Sequence, residues 1–182
     1  MGETLPGAMT ADDFLAWSER HPGRYELVDG TVVAMAPERF THADLKGEIY
    51  ARLREAIRAG GLGCRAIVDG MGVQVDRTTV YEPDVIVRCG APLDGDPILV
   101  PDPMVIVEIL SPSTQSVDLG VKLEGYFRVE SVRHYVIVDG RRRAIIHHER
   151  HEDGLIVTRI SRDGTLRLDP PGIALADLFA PS

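Results

Sequence analysis

The sequence predicts an α/β domain in which a mixed β-sheet is flanked by helices, and three observations predict it. Met104–Leu110 is apolar at every position but one, the pattern of a strand covered on both faces. A segment at about 116–129 follows, with Leu119, Leu123 and Phe127 on one side, and then the apolar run Tyr135–Val138. A strand, crossover helix and strand of this length form a parallel βαβ unit. Upstream, Leu45, Ile49, Leu53 and Ile57 recur every fourth residue and give a second helix one apolar stripe, with Arg52, Arg54, Glu55 and Arg58 on its wetter side.

The remaining elements read in order. Residues 1–8 form a flexible lead-in, and a single domain spans 9–182. Thr10 with Asp13 has the spacing of a capping box and opens a short helix carrying Phe14, Leu15 and Trp17. Tyr25–Val28, Asp29-Gly30 and Thr31–Met35 make a hairpin, because Asp-Gly readily takes the positive φ values of a tight turn. Helix and hairpin together form an N-terminal extension of the sheet domain. Thr41 with Asp44 repeats the capping spacing before the long helix, which runs to about Ala59 and stops at Gly60-Gly61. Strands are expected at about 64–69, 71–76 and 80–88, with the prolines and aspartates of residues 94–103 forming a loop. Two or three further strands run to about Leu168, with a last helical turn near Leu175 to Phe179.

Composition excludes several classes. The chain has 182 residues, 44% hydrophobic and 26% charged, as an ordinary globular domain does. No apolar run reaches the ~20 residues of a membrane span, and no basic-then-apolar leader opens the sequence, so a cytoplasmic location is expected. Cys64 and Cys89 form no C-x-x-C pair and read as small core or near-surface residues. A net charge of −8 argues against non-specific coating of nucleic acid, while leaving room for a local basic groove and suiting recruitment of a divalent cation.

Glu108 carries the most information. A carboxylate flanked by Val105–Val107 and Ile109-Leu110 costs several kcal/mol to desolvate unless it is paired, neutralised or metal-bound. Asp84 poses the same problem before Val85–Val87, presented at a strand start by Pro83. In the next helix Asp118, Lys122 and Tyr126 share one flank, so Lys122 can reach toward Glu108. Two carboxylates and an ammonium suit metal-assisted hydrolysis. A structural alternative satisfies the carboxylates with backbone amides, Arg65 or Arg88, and pairs Lys122 with Asp118. His42 reads either as part of the helix start or as a residue near the site. His147, His148 and His151 read as a strand end and turn in a solvated charged stretch rather than a zinc site. Arg141–Arg143 read as a solvated hairpin turn, with phosphate contact as the alternative.

Glu82-Pro83-Asp84, Val107–Thr114 and Asp118–Lys122 resemble the Uma family within the PD-(D/E)xK superfamily of restriction-endonuclease-like proteins. The resemblance extends from Met9-Thr10 through Tyr25–Gly30 and His42 to His134–Asp139. It implies a restriction-endonuclease-like fold, Mg2+-dependent hydrolysis of DNA with Mn2+ as a substitute, and, by analogy, a homodimer. It also implies that Asp84, Glu108 and the carbonyl of Ile109 hold the metal. Glu48 from the long helix, or Glu26 from the hairpin, would complete the shell, with His42, Asp118 and Tyr126 as accessories. One departure stands out. The lysine expected two residues after Glu108 is Leu110, so the lysine role moves to Lys122. A catalytically weak nuclease-fold binding module is therefore the alternative.

Overall fold

The computed structural model describes residues 8–110 and 118–179, the side chains of Asp118 and Leu119 excepted. The lead-in expected at 1–8 falls almost wholly outside the described residues. Helix α1 (Ala11–Ser18) opens with the Thr10–Asp13 capping box in full. Strands β1 (Tyr25–Val28) and β2 (Thr31–Ala34) pair as the expected hairpin, with φ of 46° at Asp29 and 77° at Gly30. Helix α2 (Phe40–Ala59) starts earlier than the Thr41 spacing implied. Arg39 is its cap and makes no side-chain cap bond. Glu38, just outside that cap, instead accepts from Lys46 about two turns along, which ties down the start.

Strands β3 (Cys64–Val68), β4 (Val73–Asp76), β5 (Thr79–Tyr81), β6 (Val85–Cys89) and β7 (Pro103–Ile109) follow. The strand expected over 80–88 is in fact two. Pro83 lacks an N–H to donate to a ladder, and the chain breaks there, leaving β5 in one sheet and β6 in another. Helix α3 (Asp118–Arg128) leads to β8 (His134–Asp139), β9 (Ala144–Arg150) and β10 (Ile156–Ser161). Strands β11 (Leu166–Leu168) and β12 (Ile173–Leu175) form a final hairpin, and the helical turn expected near 175–179 is instead the end of β12, followed by irregular chain and a turn. Leu166, Leu168, Ile173 and Leu175 alternate inward with a period of two, which helical spacing could not do.

The main sheet has the order β10-β9-β8-β7-β6-β3, with β7 and β8 parallel as the βαβ pattern required. One face packs on α2 and the β11–β12 hairpin through Ile49, Leu53, Val85, Val107 and Leu168. The other packs beneath α3 through Ile86, Ile106, Tyr126 and Tyr135. Strand β7 is thus covered on both sides, and Val105 and Ile106 are fully buried. A second sheet, β2-β1-β5-β4, carries α1. No described helix is long and apolar enough to cross a membrane.

Cys64 and Cys89 are not separate core residues: they lie opposite one another in the β3–β6 register and form a disulfide. A sequence separation of 25 hid the adjacency that the antiparallel ladder creates.

The histidines also depart from expectation. His147 and His148 are buried on β9, and only His151 reaches the charged turn. His134 Nε2 donates to the Pro170 carbonyl at 2.7 Å, which leaves its Nδ1 to accept from His147 Nε2 at 2.9 Å. Burial, followed by the neighbouring His134, pushes His147 down to about 4. Between the ordinary 6.5 and 4 the unfolded chain therefore binds more protons than the folded one, and stability falls as pH falls through that window. Relative to His147→Gln, which keeps a donor but does not titrate, the wild type should lose about 3 kcal/mol between pH 6.5 and 4. Parallel denaturation curves for the two proteins across that range would refute this.

Candidate active site

Asp84 sits between the two sheets, one residue ahead of β6, because Pro83 ends β5 and turns the chain. It is buried, and its Oδ2 accepts the Ile109 N–H at 2.8 Å, fastening the start of β6 to the end of β7. Glu108, one residue earlier on β7, points toward α3. Its Oε1 accepts from Lys122 Nζ at 3.1 Å and from the Tyr126 hydroxyl at 2.7 Å. Lys122 and Tyr126 are one helical turn apart and both are buried, as the i,i+4 spacing required. Gly125 leaves room for this packing: a Cβ there would lie 2.7 Å from the ring of Tyr81, which stands edge-on against Tyr126.

The hairpin contributes Glu26, buried on β1. Its Oε1 accepts from Lys122 at 2.9 Å and from the Glu82 N–H at 2.9 Å. From α2 come His42 and Lys46, one turn apart. His42 Nε2 donates to the Ile109 carbonyl at 3.0 Å and lies 3.4 Å from Asp84. That contact with Asp84, against the opposing effect of burial, raises the His42 pKa. Lys46 is buried beside Glu38, 2.7 Å from Asp69 and 3.8 Å from Asp84. Burial would lower its pKa, but Asp69 and Glu38 outweigh that and keep the ammonium charged. Arg24 completes the rim with Glu82, Glu38 and Asp69.

Most residues singled out in the sequence meet here: Asp84, Glu108, Ile109, Lys122, Glu26, His42 and Tyr126. Glu48 does not. It lies on another face of α2, paired with Arg52 at 2.5 Å, because two residues of helix rotate it about 200° from Lys46. The side chain of Asp118 lies outside the described residues, and Lys122 is engaged by Glu26 and Glu108. Neither Arg65 nor Arg88 serves the carboxylates; Arg88 binds the Pro101 and Ala91 carbonyls. Sequence reasoning missed Glu38, Lys46, Asp69, Arg24 and Glu82. Lys46 alone left a trace, as a charge beside the apolar stripe at 45, 49 and 53.

Electrostatically the site carries an excess of negative charge. Six carboxylates (Glu26, Glu38, Asp69, Glu82, Asp84 and Glu108) face three permanent cations, Arg24, Lys46 and Lys122. Burial raises the Glu108 pKa to about 7; Lys122 opposes this, and Asp84 and Glu26 add to it. Tyr126 is pushed well above its ordinary value by burial and by Glu108, so it stays a donor. Ligand atoms of Glu38, His42 and Asp84 all lie within 4.8 Å of one another. Oxygen donors with uncompensated charge are what a hard divalent cation takes up, so the residues fit such an ion.

Residues 11–176 match the family model Uma2, described as "Putative restriction endonuclease". The chain belongs to the Uma2 family. A protein of Synechocystis sp. described as uncharacterized is 24% identical over 170 residues, 92% of this chain and 88% of that one. The crystal structure of a "putative nuclease belonging to DUF820" from Anabaena variabilis superposes with a TM-score of 0.73 at 17% identity, covering 94% of this chain and 97% of that one. That likeness establishes the fold: a mixed sheet flanked by helices.

Proposed function

We propose that this Uma2 protein is a metal-dependent endonuclease that hydrolyses DNA phosphodiester bonds. The observation that carries the reading is the convergence of Asp84 and Glu108, from adjacent central strands, with the buried ammonium of Lys122. Asp84, Glu108 and the Ile109 carbonyl would hold Mg2+, or Mn2+ in its place; on the other side of Asp84, Glu38 and His42 offer ligand atoms within 4.8 Å of it. The ion would supply polarisation of a phosphate oxygen and a more acidic water. Lys122 would position the attacking water from the α3 side, and Tyr126 and Glu26 hold Glu108 and Lys122 in position. Action on DNA and a homodimeric state follow from analogy with the wider superfamily.

The test is nicking of supercoiled plasmid in Mg2+ by the wild type, Asp84→Asn and Glu108→Gln. Both variants should lose more than the roughly 10–100-fold that outer-shell changes cost, and both should lose thermal stabilisation by Mg2+. Unchanged nicking and unchanged Mg2+ stabilisation would sink the reading.

A second reading, a nuclease-fold binding or assembly module, is favoured by two observations. Leu110 stands where the superfamily lysine belongs, and His42 occupies the Ile109 carbonyl. Robust turnover of single-stranded, duplex or branched DNA with Mg2+ or Mn2+ would retire it.

A further inference from the structure

Away from this site, α2 and strand β3, an edge of the main sheet, enclose an open cleft of about 330 Å³ lined by Tyr50, Arg54, Ile57, Arg58, Cys64 and Arg65, with Ala66 at its margin. Exposed Arg54 and Arg58 of α2 line it, and exposed Arg65 borders it on the sheet edge with its side chain on the face of β3 opposite Cys64 and Ala66, in a chain whose net charge is −8. Among the described residues none of the three makes an ion pair, as holds for most arginines of the chain. The negative end of the α2 dipole accounts for Arg58 in the last turn, but not for Arg54 or Arg65. Arg54 stacks over the Tyr50 ring at 5.5 Å, so an aromatic face lies among the cations.

The sheet edge adds donors. Gly90 donates to Gly63 and Asp69 to Asp84 across the β3–β6 ladder, which makes the odd-numbered residues of β3 the hydrogen-bonded ones. By the alternation of an antiparallel pair, the N–H groups of Cys64 and Ala66 face away from β6, outward from the sheet edge that borders the cleft. Unpaired guanidinium groups, edge amides and an aromatic face are the means by which proteins hold a phosphate backbone.

We infer that this cleft is a phosphodiester-binding site that grips the backbone of a nucleic acid at a distance from the carboxylates. About 24 Å of α2 separates His42 from Arg58, the length of roughly seven base pairs. Arg54 and Arg58 lie roughly 120° and 160° around the helix from His42, so a strand held in the cleft has to pass around α2 to meet the carboxylates. The identity of the ligand rests on the nuclease reading, while the anion site rests on the cleft alone.

The experiment is fluorescence anisotropy of labelled duplex and single-stranded DNA without added divalent cation, from about 50 to about 200 mM salt. It compares the wild type, the triple variant Arg54→Ala/Arg58→Ala/Arg65→Ala, the corresponding triple lysine variant, and Arg162→Ala as an exposed control. The triple alanine variant should bind roughly tenfold or more weakly, with the slope of log affinity against log salt reduced by about two to three. The lysine variant should recover most of the affinity, and the control should match the wild type. Calorimetric titration with inorganic phosphate is the second arm. Phosphate binding that is lost in the alanine variant while DNA binding is unchanged would assign the cleft to a free anion and overturn the proposal. Unchanged DNA affinity and salt slope would overturn it as well, as would a wild type that binds no DNA. Nicking is not read here, so loss of this proposal and loss of the Asp84–Glu108 reading are seen separately.

Discussion

Lys122→Met is expected to slow plasmid nicking by roughly 10²–10⁴-fold and to unfold more readily than any other single change at the site. Methionine keeps the length of the side chain but removes the cation shared by Glu26 and Glu108, both of which then remain in a largely dry environment. Breaking a buried pair by deleting one partner costs roughly 3–5 kcal/mol. The loss has a pH signature. Lys122 is the main influence holding the Glu108 pKa down, and burial has already raised that pKa to about 7. Without Lys122 it rises further. The folded variant then binds more protons than the unfolded chain from the ordinary 4.5 upward, so its stability falls as pH rises through that window. Denaturation at pH 8 and at pH 5 should show the larger deficit at pH 8. For catalysis, losing a group that positions or deprotonates the nucleophile costs roughly 10²–10⁴-fold. A folded Lys122→Met protein that nicks at the wild-type rate would remove Lys122 from the mechanism.

Lys46→Met carries the second large effect and separates a structural cation from the catalytic one. Lys46 holds Glu38 and Asp69 and lies 3.8 Å from Asp84. Arg24 also contacts Glu38 and Asp69 and offsets part of the loss, so a cost of roughly 2–3 kcal/mol is expected. The variant leaves Glu38, His42 and Asp84 with one fewer competing positive charge. Added Mg2+ should therefore raise its melting temperature more than it raises that of the wild type. Calorimetric scans with and without Mg2+ check this, and an equal or smaller shift in the variant would show that these carboxylates do not take up the ion.

Legibility in the sequence followed the range of the signal. Local signals were reliable: the Asp29-Gly30 turn, the Thr10–Asp13 box, and the 3.6-residue periodicity of α2 and α3, which set Lys122 and Tyr126 on one flank. Isolated charges in apolar runs marked Asp84 and Glu108, because desolvation makes such positions costly without a partner. Glu38, Asp69, Glu82 and Arg24 left no such mark. They sit in polar stretches at element ends, where a charge costs nothing until another segment is folded against it. Glu48 was misassigned because helical phase about the axis, rather than nearness along the chain, decides which carboxylate meets Asp84. The buried His134–His147 pair failed for the converse reason: charged neighbours in sequence hid an inward-facing strand.

By itself the sequence determined the fold class, the parallel β7–α3–β8 unit at the sheet centre and the core of the candidate site, since all of these rest on periodicity and on the cost of burying charge. The tertiary structure alone decided that Cys64 meets Cys89, that Pro83 divides two sheets, that Glu26 rather than Glu48 shares Lys122, and that Arg54, Arg58 and Arg65 share one cleft. Each of these is a contact between segments distant along the chain, set by strand register and helix phase, and neither is written in any local run of residues.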